Sequence, residues 1–322
     1  MNPEHLQTTL QPINQSTHQP EPIVHCPLSI VNYHPTLKQY ILILLTHTIS
    51  ETRAEISKQI SEGKTIGFVP TMGALHEGHL QLVRQAAAEN DFVAVSIFVN
   101  PIQFNNPDDL AKYPRTLGED IKKLEGTGCG LVFAPSAQEM YPEPDTTEFD
   151  FGELDKVMEG KFRPGHFRGV AVVVKKLFEI VTPHKAYFGK KDYQQLAIIK
   201  RMVEMLNMPV DIISCAIIRE PDGLAMSSRN TRLTTEERIE APCIYKALAA
   251  VAENYSWFIP SGVKQLVMGE IQECPLMRVE YAEVVNSVTL QPFDDWNDTE
   301  HAVVCVAVYL GSVRLIDNIE LF

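Results

Sequence analysis

The stretch Phe68-Val-Pro-Thr-Met-Gly-Ala-Leu-His-Glu-Gly-His79 concentrates groups able to handle phosphate. An apolar run ends, a glycine-bearing turn follows, and His-x-Gly-His opens a helix expected from Gly78 to about Asn90. Where a strand of a parallel sheet hands over to a helix, free N–H groups and the positive end of the helix dipole attract anions. His76 and His79 are three residues apart and fall on the same face of the helix start. An imidazole donates a hydrogen bond whether neutral or charged, which suits a triphosphate whose bridging oxygen gains charge. Gly78 is expected to leave room for a nucleotide to approach the backbone. The plain alternative is two histidines capping a helix, and a bare H-x-G-H arises by chance in many chains.

Three further stretches carry candidate chemistry. Tyr187-Phe-Gly-Lys-Lys-Asp-Tyr-Gln-Gln195 again reads as strand, turn and helix start, with Lys190 and Lys191 placing positive charge at a second phosphate-facing loop. Here Asp192 reads equally well as a plain N-cap. Asp222-Gly-Leu-Ala-Met-Ser-Ser-Arg-Asn230 sets two hydroxyls before an arginine, whose fork of donors matches phosphate oxygens. The same stretch also reads as a hinge between domains, and the two readings are compatible. Gln103, in Asn100-Pro-Ile-Gln-Phe104, falls at the same sheet edge as the histidines and suits hydroxyl or carboxylate recognition. Lys161-Phe-Arg-Pro-Gly-His-Phe-Arg168 gathers three cations and a histidine, as an anion-facing loop or the surface of a flexible lid.

The elements that must position these groups follow from the apolar pattern. Strands are expected at 65–69, 92–98, 130–134, 186–188 and 210–215, separated by helices near 50–61 (capped by Ser50), 78–90, 117–125, 169–181 and 192–206. Near-continuous apolar strands need cover on both faces, which argues for a parallel sheet. The alternation predicts an α/β fold with a Rossmann-like, doubly wound parallel sheet over 43–221. Between the second strand and the 117–125 helix, 100–114 reads as a polar loop. After residue 222 the rhythm changes: helices near 234–254 and 261–272 precede strands near 279–285, 303–309 and 313–316, a smaller C-terminal α+β domain (222–322). Residues 1–42, poor in charge and rich in proline, are expected to form a disordered N-terminal extension.

Composition narrows the partners. With 28 Lys+Arg against 41 Asp+Glu, the chain of 322 residues carries a formal charge of −13, so no nucleic-acid partner is expected. Strongly apolar stretches such as Tyr40 to Leu45 are far shorter than the roughly 20 residues a membrane span needs, so no membrane partner is expected either. Six scattered cysteines without C-x-x-C suggest reduced, buried thiols in a cytoplasm and no metal site.

Taken together, PTMGALHEGH (70–79), VSIFVNPIQF (95–104), YPRTLGED (113–120), LVFAPS (131–136), FRPGHFRGV (162–170), FGKKDYQQL (188–196), GLAMSSRN (223–230) and RLIDN (314–318) resemble the pantothenate synthetase (pantoate–β-alanine ligase) family, within the HIGH-motif nucleotidyltransferases. The resemblance runs from about residue 43 to the end. It implies an ATP-dependent ligation with Mg²⁺ accompanying the ATP. Pantoate's carboxylate attacks the α-phosphate, and β-alanine's amine then attacks the acyl carbon of the pantoyl adenylate. By the same resemblance His79, His76 and Lys191 are catalytic, His79 as proton donor. ATP is implied to meet Met72, Gly73, Ala74, Leu75, His76, Glu77, Gly78 and His79, then Gly189, Lys190, Lys191 and Asp192, the backbone at Ile218, and Met226, Ser227, Ser228 and Arg229. Gln103 and Gln195 are implied to hold pantoate, with Gln103 also near β-alanine. A cytoplasmic homodimer is implied as well. A related adenylyltransferase with no amine step and a nucleotide-binding regulatory module are the competing readings.

Overall fold

The computed structural model describes residues 42–322. The extension expected at 1–42 therefore lies, but for its last residue, outside the described residues. Six strands form one sheet: β1 (Leu44–Thr46), β2 (Ile66–Thr71), β3 (Phe92–Ile97), β4 (Cys129–Phe133), β5 (Lys185–Gly189) and β6 (Asp211–Cys215). Their order is β1-β4-β3-β2-β5-β6, and every pairing is parallel. The helices are α1 (Ile49–Ser61), α2 (Glu77–Glu89), α3 (Pro107–Lys112), α4 (Leu117–Leu124), α5 (Ala137–Met140), α6 (Met158–Phe162), α7 (His166–Val181) and α8 (Tyr193–Met205).

The apolar runs of the sheet divide between two layers because successive strand residues point to opposite faces. Phe68 joins Ile56 of α1, Phe178 of α7 and Ile199 of α8 on one side. Its neighbour Val69 joins Val83 of α2 and Leu124 of α4 on the other. From β2 the chain moves toward β3 and β4, whereas from β5 it moves to β6 on the opposite side. The order thus reverses between β2 and β5, whose carboxyl ends open the crevice where such sheets bind ligands.

After β6 come α9 (Thr235–Glu240), α10 (Cys243–Asn254) and α11 (Pro260–Gln272), then β7 (Met277–Asn286), β8 (Ala302–Leu310) and β9 (Val313–Glu320) in an antiparallel sheet of order β7-β8-β9. One face packs Val304, Val306 and Val308 against Leu248, Val263 and Val267. The other sets Tyr281, Val303 and Cys305 against Met158 and Tyr193, seating this sheet on the first.

The fold class agrees with the sequence reading, and several details differ. Leu44–Thr46 is an unanticipated edge strand, pairing Leu44 with Leu131. Thr48, not Ser50, caps α1: its side chain accepts from the Glu51 N–H, and the Glu51 carboxylate accepts from the Thr48 N–H. The expected loop at 100–114 contains α3, started by the Asn106 side chain and Pro107. The helix expected over 234–254 is two, separated around Pro242. Cys129, Cys215 and Cys305 are buried free thiols, whereas Cys243 and Cys274 keep partial exposure. No helix among the described residues is long and apolar enough to cross a membrane.

Candidate active site

The turn after β2 is shaped by Gly73 (φ +82°) and Ala74 (φ +50°). Its amides are not free. Asp120 of α4, fully buried, accepts from the Ala74 N–H at 2.9 Å, the Leu75 N–H at 2.7 Å and the Thr116 hydroxyl at 3.1 Å. The expectation that this turn offers those N–H groups to phosphate is corrected: a carboxylate already occupies them. The expectation for Gly78 is extended. A Cβ there would lie 2.9 Å from the Cε1 and Nδ1 atoms of His76, so the missing side chain also makes room for the imidazole.

The two rings sit 4.0 Å apart between centroids. Burial first, then the Lys191 charge, pushes His76 down to about 4. Burial, then His76 and Lys191, holds His79 well below the usual imidazole range. Both rings are neutral at pH 7. The His76 N–H donates to His79 Nδ1 at 3.4 Å, which leaves the proton of neutral His79 on Nε2. His76 Nδ1 is buried with no hydrogen-bond partner among the described residues.

The corner after β5 holds the second cluster. Lys191 Nζ lies 3.9 Å from Asp192 Oδ2. Asp192 occupies the N-cap position of α8, but its carboxylate makes no capping bond. Lys190 turns away from the crevice: its ammonium pairs with Glu320 at 2.6 Å. The Asn318 side-chain amide donates to the carbonyls of Lys190 and Lys191 at 2.9 and 3.0 Å.

The third segment follows β6. A bridge between Arg219 and Ala225 closes its base, and the Met226 N–H donates to the Ile218 carbonyl at 3.0 Å. Arg229 and Arg232 each reach Asp109 of α3 at 2.9 Å, and the Tyr113 and Ser228 hydroxyls are 3.4 Å apart. Asp109 is held below the usual carboxylate range: burial would raise it, but the two arginines outweigh burial.

One cavity is lined by Met72, His76, Gly78, His79, Gly189, Lys191, Asp192, Gln195, Ile218, Met226, Ser227, Ser228 and Arg229. The neighbouring cleft, about 420 Å³, shares Lys191, Asp192, Ser227 and Arg229 with it and adds Arg163, Arg232 and Arg314. Six candidates lie elsewhere. Gly73 and Ala74 shape the turn, Leu75 is core, and Glu77 pairs with Arg84. Lys190 faces β9, as described. Gln103 sits behind Met72, donating to its sulfur at 3.0 Å, and accepts from Asn100, itself bonded to the Tyr141 hydroxyl.

The 161–168 stretch is exposed at Lys161, Phe162, Pro164 and Gly165, and its later part turns inward. His166 and Phe167 are buried, and His166 Nδ1 donates to the Gln103 carbonyl at 2.8 Å. Arg163 pairs with Glu159, which also binds Arg314 and the Tyr281 hydroxyl. Burial alone would raise Glu159, but Arg314 and Arg163 hold it at about 2. The residues that sequence reasoning missed are therefore those that hold others in place: Asp120, Asn318, Asp109 and Glu159. Asp120 and Asn318 lie inside YPRTLGED and RLIDN, yet nothing local marks their partners. Among the described residues, no group of three or more His, Cys, Asp or Glu could hold a metal ion.

The family model for pantoate-beta-alanine ligase matches residues 44–320. The chain belongs to that family. It is 52% identical over 274 residues to a pantothenate synthetase of Bacteroides fragilis, covering 85% of this chain and 97% of that protein. A pantothenate synthetase of Cytophaga hutchinsonii is 44% identical over 274 residues, covering 84% and 97%. The crystal structure of pantothenate synthetase from Thermus thermophilus superposes with a TM-score of 0.82 at 42% identity, covering 87% of this chain and all of that one. The Francisella tularensis pantoate-beta-alanine ligase, solved in complex with beta-gamma ATP and beta-alanine, gives 0.73 at 36% identity, covering 86% and 97%.

Proposed function

We propose that this chain condenses (R)-pantoate with β-alanine at the expense of ATP, giving pantothenate, AMP and pyrophosphate through a pantoyl adenylate. The observation that supports it most is the grouping of neutral His76 and His79, the Lys191 ammonium and the Ser227–Arg229 segment on one cavity, in a chain of this family. In the first step a pantoate carboxylate oxygen bonds to the α-phosphorus. The bond from that phosphorus to the bridging oxygen breaks, and its electron pair leaves on pyrophosphate. Carboxylate and triphosphate repel, so Lys191 and Arg229 offset the repulsion and stabilise charge arriving on the leaving group. His79, neutral and protonated on Nε2, supplies a hydrogen bond rather than a charge. Gln195 lines the same wall and suits pantoate's hydroxyls. In the second step the neutral amine of β-alanine bonds to the acyl carbon, the acyl–oxygen bond breaks with AMP taking the pair, and the nitrogen gives up a proton to water as the amide forms.

Mg²⁺ is taken to arrive on the triphosphate, where it would neutralise phosphate charge. Such an ion commonly needs only one or two protein carboxylates, and Asp192 is the carboxylate on the cavity wall beside Lys191. A homodimer in the cytoplasm belongs to this reading and is supported by family membership alone. The test is AMP formation with pantoate and β-alanine each omitted in turn. The ligase makes AMP only with both, and releases pyrophosphate with pantoate alone. Nucleotidyl transfer indifferent to β-alanine would replace this reading with an adenylyltransferase.

A further inference from the structure

We propose that Asn318 is a positioning residue for the adenylation step. From β9 it holds the backbone of the Lys190–Lys191 turn so that the Lys191 ammonium faces the departing pyrophosphate. The proposal rests on the ATP-dependent reading above and assigns a role to a residue of the second sheet.

Asn318 is 3% exposed, so its amide works on protein groups and not on water. Its Nδ2 carries two hydrogens, and each has a partner: the carbonyls of Lys190 and Lys191, at 2.9 and 3.0 Å. Those carbonyls belong to a turn between a strand end and a helix start. The same strand takes the Lys190 side chain through Glu320. Lys190 is thereby held by backbone and side chain together, which leaves Lys191 as the lysine of the pair that lines the cavity.

The preceding residue does the matching work for the other loop. Asp317 takes Arg219 in a two-pronged bond at 2.6 and 3.0 Å, and its Oδ1 accepts the Asn318 N–H at 2.8 Å. Arg219 reaches the Gly223 carbonyl at 3.1 Å and stacks on Tyr245, fixing the base of the segment that carries Ser227 and Arg229. Two consecutive residues of β9 thus bind the two cation-bearing loops in register with each other.

An amide is required at 318, because a carboxylate of the same shape would set acceptor against two carbonyl acceptors. Lys191 matters when the bond from the α-phosphorus to the bridging oxygen breaks and the pair moves to pyrophosphate. It matters less when the amine displaces AMP. A group that acts through Lys191 must therefore slow the first half-reaction more than the second, whereas a merely structural group slows both.

The experiment uses the full chain as Asn318→Asp, Asn318→Ala, Lys191→Ala and the Asn318→Ala/Lys191→Ala double variant. It measures single-turnover pyrophosphate release from ATP and pantoate, and separately aminolysis of supplied pantoyl adenylate by β-alanine. Asn318→Ala should slow pyrophosphate release at least about tenfold, Asn318→Asp more, and aminolysis less than about threefold. In the Lys191→Ala background, Asn318→Ala should add less than about threefold, because its route of action is gone. Should Asn318→Asp not fold, Asn318→Ala alone decides. Undiminished pyrophosphate release, equal slowing of both half-reactions, or a full tenfold loss on top of Lys191→Ala each overturns the proposal. Failure of the unsubstituted enzyme to release pyrophosphate with pantoate overturns the ligase reading, and this proposal with it. Loss in the variants alone leaves the ligase reading standing.

Discussion

The two turns at the sheet's reversal point face the same cavity, yet they are held in different ways. After β2, the turn's N–H groups meet an acceptor, the Asp120 carboxylate, from 46 and 45 residues away, while its Leu75 carbonyl accepts from the Lys123 ammonium at 2.7 Å. After β5, the turn presents carbonyls, and the clamp is a donor, the Asn318 amide, from 128 and 127 residues away. The first corner carries two neutral imidazoles and the second an ammonium. Each backbone group of a turn takes a clamp of the opposite hydrogen-bonding sense, and the clamps leave the functional side chains free. The first corner can do without charge because its rings lie against Lys191, whose field together with burial disfavours their protonation.

Removing the side chains that the clamps serve should have the largest effect. Lys191→Ala and His79→Ala are each expected to lower adenylate formation at least about a hundredfold, read by pyrophosphate release. Near-normal turnover in both would erase the distinction between the corners. Next comes the first clamp itself. Asp120→Ala leaves buried N–H groups without partners and should cost about 2 kcal/mol in urea denaturation, with a raised KM for ATP. An unchanged midpoint would mean that the turn holds itself.

A smaller change sharpens the role of the missing side chain. Gly78→Ala forces the His76 ring aside and should cost about tenfold in pyrophosphate release, with little loss of stability, since α2 favours alanine. Full activity would show that the ring has room to move.

The mildest effect is on pH dependence. His76 and His166 titrate at about 4 in the folded chain, against about 6.5 when unfolded. The unfolded state takes up the proton first, so this stability is fully present above pH 6.5 and is lost as pH falls toward 4. The loss should be about 1 kcal/mol per ring between pH 6.5 and 5.5. Urea midpoints across that range, with His166→Gln as a control, check it; a flat profile would show that the rings protonate as readily in the folded chain as in the unfolded one.

Much of the first sheet was legible because strands buried on both faces must be nearly continuous runs of apolar residues, as in Phe92 to Phe98. The β1 edge was not, since three residues give no period. In the site, His76, His79 and Lys191 were legible because their types and their places at strand ends are local facts. Gly78 was legible as special, but its contact with the His76 ring was not, since that depends on where the ring folds back. Gln103 was placed on the right sheet edge, yet its amide is turned to Met72 by Asn100, which accepts from Tyr141.

The sequence by itself determined the alternation of the main strands and helices, the acidic balance that forces phosphate chemistry onto a few local cations, and a short set of candidates for them. Periodicity and local spacing suffice for each. Only the tertiary structure decided that Lys190 turns to Glu320 while Lys191 enters the cavity, that Asp120 occupies the turn's N–H groups, and that Arg229 rests on Asp109. Each of these depends on a partner from a distant segment, and a hydrogen bond's partner is fixed by where the chain folds back, not by the residues on either side.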